Sequence, residues 1–235
     1  MPDALRLNKY LSETGACSRR EADTWIAAGR VSVNGQLAGL GTRVGAGDVV
    51  CLDGRPVGRA KRHVYLALNK PVGVTCTTER HVRGNIVDFV GHRERIFPVG
   101  RLDKDSEGLI LLTNNGDIVN EILRAENAHE KEYEVEVDRP VTNEFLRSMA
   151  AGVPILGTRT RPCRTRRLGR NRFGIVLTEG MNRQIRRMCE HFGYTVRSLT
   201  RVRIVNITLD GLAVGQWRNL KRRELAGLLP GRADW

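Results

Sequence analysis

The chain has 235 residues, with 39 Lys+Arg against 26 Asp+Glu, a formal net charge of +13 and a pI near 10.3. A hydrophobic content of 40% excludes a disordered chain, and this length lets one large domain, or a small one and a medium one, bury a core. The cation surplus on an enzyme-sized chain points to a polyanionic partner, RNA or DNA rather than a membrane. No uncharged apolar run approaches the roughly 20 residues that span a bilayer, and no apolar stretch follows Met1-Pro2-Asp3, so the expected location is the cytoplasm. Five dispersed cysteines with no C-x-x-C spacing agree with a reducing compartment. The close pair Cys189 and His191 stands at i,i+2, on different sides of a helix, so neither a metal nor a cofactor is expected.

In chain order, Leu7, Tyr10 and Leu11 fall at helical spacing, with Gly15 as the stop. Ser18-Arg19-Arg20-Glu21 reads as a capping box that opens a second helix, whose apolar stripe is Ala22, Trp25 and Ile26. The period then changes to two: Val31 and Val33 alternate, Asn34-Gly35 is a hairpin turn, and strand-like runs continue to Leu52. Arg19 and Arg20 occupy the first turn of their helix, where the macrodipole disfavours cations. They are either a clamp for an RNA phosphate or a solvated surface pair.

This stretch resembles the S4 RNA-binding domain, through Arg6-x-x-Lys9, Ser18-Arg19-Arg20-x-Ala22 and Val31-x-Val33-Asn34-Gly35. The resemblance implies a module over residues 1–58 that binds structured RNA, with Arg6, Lys9, Arg19 and Arg20 as its contacts. Residues 53–63 hold two glycines, a proline and several charges and read as a linker, its core at 59–63. The remainder, 64–235, is expected to be a second domain.

There Tyr65 to Asn69 leads into Lys70-Pro71, and Ile96 to Val99 is a strand. A polar loop, Gly100 to Gly108, precedes the continuously apolar Leu109-Ile110-Leu111-Leu112, a strand buried on both faces. Asp103, Asp105, Glu107 and Gly108 match the first positions of a calcium loop, but position 12 is Asn114 and the flanks are strands, so calcium is not expected. Residues 131–137 alternate, with Tyr133, Val135 and Val137 on one face and Glu132, Glu134 and Glu136 on the other; periodicity alone makes Tyr133 a core aromatic. Asn182 is the expected N-cap of a helix whose stripe is Ile185, Met188, Cys189 and Phe192. Arg183, Arg186 and Arg187 lie off that stripe, and a surface pair of Arg186 with Glu190 is the plain reading.

Lys70-Pro71-x-Gly73, Gly100-Arg101-Leu102-Asp103-x-Asp105-Ser106-x-Gly108-Leu109, Lys131-x-Tyr133 and Leu177-x-x-Gly180-x-x-Arg183-Gln184-Ile185-Arg186-Arg187-Met188 together resemble the RNA pseudouridine synthases, in the branch whose members carry an N-terminal S4 domain. The resemblance implies an α+β catalytic domain with a mixed, mostly antiparallel sheet flanked by helices. It implies a redox-neutral isomerisation of uridine without cofactor or metal. It also implies Asp103 as nucleophile, Arg186 as the cation that keeps it ionised, Tyr133 stacked on a flipped uracil, and Arg101 holding the flipped conformation. Lys70, Arg183 and Arg187 are further expected substrate contacts, with Lys70 shaping the pocket floor, and the arginines of 159–172 and 197–203 are expected on phosphates. Arg186 is expected within ion-pair distance of Asp103. The expected substrate is large-subunit rRNA and the expected state a monomer. The alternatives are tRNA or small-subunit rRNA and, in another class, a non-catalytic S4-type RNA-binding protein.

Overall fold

The computed structural model describes residues 4–58, 62–123 and 128–232. Two compact units divide the chain, Met1–His63 and Val64–Trp235.

The first unit runs β1 (Leu5–Arg6), α1 (Leu7–Glu13), α2 (Arg19–Ala27), β2 (Val31–Val33), β3 (Gln36–Leu37), β4 (Arg43–Val44), β5 (Val50–Leu52) and β6 (Arg55–Pro56). β1 pairs with β4, and the other four strands form an antiparallel sheet in the order β3-β2-β5-β6. The capping box at the head of α2 is formed in both directions: Glu21 N–H donates to Ser18 Oγ at 3.1 Å, and Ser18 N–H to a Glu21 carboxylate oxygen at 2.7 Å. Leu7, Leu11, Ala22 and Ile26 from the helices meet Val31, Val44 and Val50 from the strands in one core. The reading of 53–63 as linker is corrected at its start. Asp53-Gly54, both at positive φ, turn β5 into β6, and Arg30 grips the Asp53 carboxylate. Of the core linker 59–63, residues 59–61 lie outside the described residues.

The second unit carries β7 (Tyr65–Lys70), α3 (Ile86–Val90), β8 (Phe97–Val99), β9 (Glu107–Thr113), α4 (Asp117–Leu123), β10 (Lys131–Val137), α5 (Asn143–Ala150), β11 (Pro154–Ile155), β12 (Thr158–Arg159), β13 (Arg164–Arg167), β14 (Arg172–Leu177), α6 (Gln184–His191), β15 (Val196–Ile204), β16 (Ile207–Thr208), β17 (Trp217–Asn219) and α7 (Arg222–Leu228). Its sheet runs β13-β14-β10-β15-β9-β7-β17, with β16 added to β15 and β8 to β9. Among these strand pairings only β15 with β9 is parallel, so the unit is α+β with a mixed, mostly antiparallel sheet. β7 and β9 are buried on both faces, as a run without polar alternation requires: Leu66, Leu68, Ile110 and Leu112 enter one core, Tyr65, Ala67, Leu109 and Leu111 the other. Each such Leu or Ile contributes about 1.5–3 kcal/mol by leaving water, so the middle of the sheet is a rigid mount.

Where β9 meets β15 the two backbones are unusually close. Gly108 has φ 106°, and a Cβ built on it would stand 2.3 Å from the Arg201 carbonyl oxygen. Only glycine tolerates both the torsion and the approach. The polar loop before β9 is thereby set directly against the middle of β15. Among the described residues no helix is long and apolar enough to cross a membrane.

Candidate active site

A cleft of about 520 Å³ opens in the second unit, lined by the 100–106 loop, the start of β10, the 179–186 segment and the middle of β15. Backbone contacts pin the loop on several sides. Gly73 N–H donates to Lys104 O at 2.8 Å, Leu102 N–H reaches Cys76 Sγ at 3.4 Å, and Ser106 N–H closes a turn on Asp103 O at 3.1 Å. Asp103 itself keeps its side chain 31% exposed toward the cleft. A partly exposed carboxylate on a fixed loop between buried strands, at the wall of a cleft, is suited to attack on a bound group.

The cation expected on Asp103 is a different arginine. Arg186 is buried, and its guanidinium donates to the Asp105 carbonyl at 2.8 Å, Ser106 Oγ at 3.2 Å and Val196 O at 3.4 Å; its ion pair is with the Asp105 carboxylate, at 3.4 Å. Arg183 stands 3.6 Å from Asp103 and grips Asp105 with two hydrogen bonds of 3.0 Å each. The expectation that Arg186 pairs with Asp103 is therefore corrected: among the described residues Arg183 is the ion partner of Asp103. The reason lies in the start of α6. Asn182 is not its N-cap; Arg183 is, in the left-handed conformation at φ 49°. That backbone state costs a non-glycine residue about 1 kcal/mol or more, and here it accompanies the Arg183 contacts across the loop. The expected surface pair of Arg186 with Glu190 is not formed among the described residues; Arg186 points inward. The Arg183 guanidinium, helped by Arg186, holds the Asp105 carboxyl below the usual carboxylate range.

Tyr133 lies on β10 with 8% exposure and lines the cleft wall, and Arg101 lines it from the loop, exposed and without an ion pair among the described residues. Two expected substrate contacts do not line it. Lys70 is fully buried and donates to Pro71 O at 2.9 Å and Val74 O at 3.0 Å, where burial pushes its ammonium down. It braces the turn behind the loop and has no surface left for a ligand. Arg187 folds back on Asn182, to the backbone oxygen at 3.1 Å and the side-chain oxygen at 3.3 Å. In the first unit Arg6, Arg19 and Arg20 are exposed with no ion pair among the described residues, and Lys9 pairs with Glu13 at 3.5 Å.

The arginines expected on phosphates are mostly engaged elsewhere. Arg164, Arg166 and Arg172 pair with Glu130, Glu132 and Glu134 at 2.7, 2.9 and 2.8 Å. Arg203 bridges Glu130 and Glu132, each at 3.0 Å, and Arg167 donates to Val141 O and Asn143 Oδ1. Two cations turn inward that sequence reading did not place in the cleft: Lys131, which stood only as a motif residue, and Arg201, which was expected on a phosphate. Lys131 is buried in the cleft wall, its Nζ on His129 O at 3.1 Å, and burial and Arg201 together push its ammonium down. Arg201 is buried beside Tyr133. Half of its signal was available: Leu199 and Arg201, two apart on β15, share a face, and Arg201 turns inward with Leu199, whereas a register shift opposite Glu132 and Tyr133 sends Arg203 to the other face.

Comparison with known proteins bears directly on this cleft. Residues 64–191 match the family described as RNA pseudouridylate synthase, and residues 5–50 match the S4 domain. The chain is 57% identical over 231 residues to the dual-specificity RNA pseudouridine synthase RluF of Escherichia coli strain K12, covering 97% of this chain and 80% of that one. It is 34% identical to the ribosomal large subunit pseudouridine synthase B of Bacillus subtilis, covering 95% of both. A crystal structure of a pseudouridylate synthase superposes with a TM-score of 0.71 at 27% identity, over 96% of this chain and all of that one.

Proposed function

Because the chain belongs to the RNA pseudouridine synthase family, we propose that it isomerises a specific uridine of large-subunit rRNA with Asp103 as nucleophile. The observation that carries the reading is the place of Asp103: a partly exposed carboxylate on a loop held by backbone contacts, lining a cleft whose wall carries Tyr133. In the reaction the N1–C1′ bond breaks, the base turns, and a C5–C1′ bond forms. C5 loses a proton and N1 gains one, so the reaction is redox-neutral. A stacked or paired uridine cannot reach a recessed carboxylate, so the nucleotide is flipped into the cleft.

In this reading Asp103 attacks the substrate. Arg183 stands beside it as its ion partner among the described residues. Arg186 holds the loop by its backbone, Tyr133 stacks on the uracil, and Arg101 supports the flipped backbone. Lys70 and Arg187 act as braces and do not touch substrate. The S4 unit, expected to span 1–58 ahead of the 59–63 linker and the 64–235 catalytic domain, anchors structured RNA through Arg6, Lys9, Arg19 and Arg20. The enzyme works as a cytoplasmic monomer. The large-subunit target rests on the name of the Bacillus subtilis relative. The words "dual-specificity" in the name of the Escherichia coli relative favour a second RNA target as the alternative.

Release of tritium from RNA carrying 5-tritiated uridine tests the chemistry. Wild-type protein should release it from large-subunit rRNA, whereas a non-catalytic binder releases none. Mapping of pseudouridine in total RNA from a deletion strain tests the target. Loss of a site in tRNA or small-subunit rRNA alone would overturn the large-subunit assignment.

A further inference from the structure

Arg201 is the one buried cleft arginine that no carboxylate explains among the described residues; Arg101, also without an ion pair there, is exposed. It is 4% exposed, stands opposite Tyr133 in the pairing of β15 with β10, and places its Cζ 6.0 Å from the centre of the Tyr133 ring. Of its five N–H groups only Nε is engaged, on Leu109 O at 2.6 Å. Nη1 makes no hydrogen bond among the described residues, and Nη2 is buried with no partner. A buried cation without a counterion is expensive, and the Leu109 O bond and the Tyr133 ring that Arg201 stands over leave its Nη groups unmatched. The charged neighbour on the same wall makes matters worse: Lys131 is another cation, lowered in part by Arg201 itself. The position is held firmly, because the Arg201 backbone rests on Gly108, where a Cβ could not fit. The fold therefore presents a guanidinium with unspent donors to the cleft beside Tyr133.

Resting on the assignment of the chemistry above, we propose that Arg201 is a catalytic residue that donates to a carbonyl oxygen of the flipped uracil and balances the negative charge the base acquires as it leaves the sugar. When the N1–C1′ bond breaks, its electron pair goes to the base, and Asp103 takes the place of N1 on the sugar. The uracil then carries one negative charge, shared between N1 and the two carbonyl oxygens. When C5 bonds to C1′ the Asp103–C1′ ester bond breaks and the negative charge passes from the base to the released Asp103 carboxylate; the C5 proton is then lost as N1 is protonated. A uracil stacked on Tyr133 presents its edge to the adjacent side chain, which is Arg201. A fixed donor of this kind strengthens as charge develops and so acts on the transition state more than on binding. Arginine suits the place because it stays charged when desolvated, whereas the lysine beside it is pushed toward neutrality.

The test is steady-state tritium release from large-subunit rRNA transcribed with 5-tritiated uridine, by wild type and by Arg201→Ala. The variant should lose about 100-fold or more in kcat, the cost of one lost oxyanion donor, with KM within about threefold. Millimolar guanidinium should restore at least a tenfold gain, and urea, of the same shape but neutral, should restore none. A folded variant that keeps kcat within threefold overturns the proposal, as does a loss confined to KM, or rescue by urea equal to that by guanidinium. If Arg201→Ala fails to fold, Arg201→Gln, which keeps a donor for Leu109 O without the charge, takes its place and should show the same loss of kcat. If neither folds, the residue is structural and the proposal falls. A wild type inactive on total RNA carrying 5-tritiated uridine would sink the assignment of the chemistry itself, and one inactive on large-subunit rRNA alone only the target, whereas an active wild type with an active Arg201 variant sinks only the role of Arg201.

Discussion

The two sides of β10 use arginine in opposite ways. On the side that carries Glu132 and Glu134, Arg166, Arg172 and Arg203 from neighbouring strands each meet a carboxylate, and the Glu130 and Glu132 carboxylates each take two guanidinium groups. On the Tyr133 side, Arg183 and Arg186 share the carboxylate of Asp105, and Arg201 has none among the described residues. A net charge of +13 could have been spread over the surface of the second unit. Instead the Arg-dense strands are largely neutralised at home, and unspent positive charge points into the cleft. A polyanion approaching β10 is attracted by what remains unpaired, so net charge alone mislocates the binding surface.

The sharpest way to break the contrast is at its centre. Asp103→Asn removes the proposed nucleophile, and tritium release should fall by more than about a thousandfold, with RNA affinity little changed. Residual turnover within tenfold of wild type would remove Asp103 from the chemistry.

The next effect concerns the clamp. Asp105→Asn deletes the anchor of Arg183 and the ion partner of Arg186, and Arg186→Ala deletes the hydrogen bonds to Asp105 O and Ser106 Oγ. Each lets the loop shift, and displacement of a reacting group by about 1 Å costs about 100-fold, so kcat should fall by about 10- to 100-fold. The pH dependence has a definite sign. The Asp105 carboxyl lies below its usual value chiefly through the Arg183 hydrogen bonds. Its contribution to folding is complete above the unfolded carboxylate pKa of about 4 and is lost as pH falls through the lower folded value. Thermal melts of wild type and Asp105→Asn should therefore converge below about pH 4. Curves that stay parallel would mean that another group holds the loop.

How much of this was readable beforehand depends on range. The capping box of α2, the Asn34-Gly35 turn, the two-sided burial of β9 and the facing of Tyr133 away from Glu132 and Glu134 are local patterns, and each was legible from a few consecutive residues. The members of the cleft were legible as motifs. Their partners were not: whether Arg183 or Arg186 stands beside Asp103 turns on one left-handed residue at the start of α6, and no propensity places an arginine there. The pairing of Glu130, Glu132 and Glu134 with arginines likewise needs the order β13-β14-β10-β15 and its register, which are long-range facts. α3, α5 and α7 are short, and no sequence signal was drawn from them.

A smaller effect sharpens the contrast from the S4 unit. Arg19→Ala with Arg20→Ala removes two exposed guanidinium groups that make no ion pair among the described residues. If they meet phosphates, the slope of log K against log salt should flatten by about 1 to 2. An unchanged slope would assign the RNA anchor elsewhere.

The smallest effect belongs to the outer face, and its smallness is the point. Glu134→Gln leaves Arg172 without its partner. Their side chains are 35% and 54% exposed, so the pair sits in a high dielectric and its loss costs about 0.2–1 kcal/mol. For a unit of this size that lowers the melting temperature by no more than about 4 °C, and the difference should shrink in about 1 M salt, where exposed charges are screened. Turnover should stay within twofold of wild type, because Glu134 and Tyr133 are consecutive residues on opposite faces of β10 and only the latter lines the cleft. A tenfold loss of kcat would break the comparison: the strand itself would then be transmitting changes in the ladder to the cleft wall, and the outer arginines would have to be counted as part of the active site.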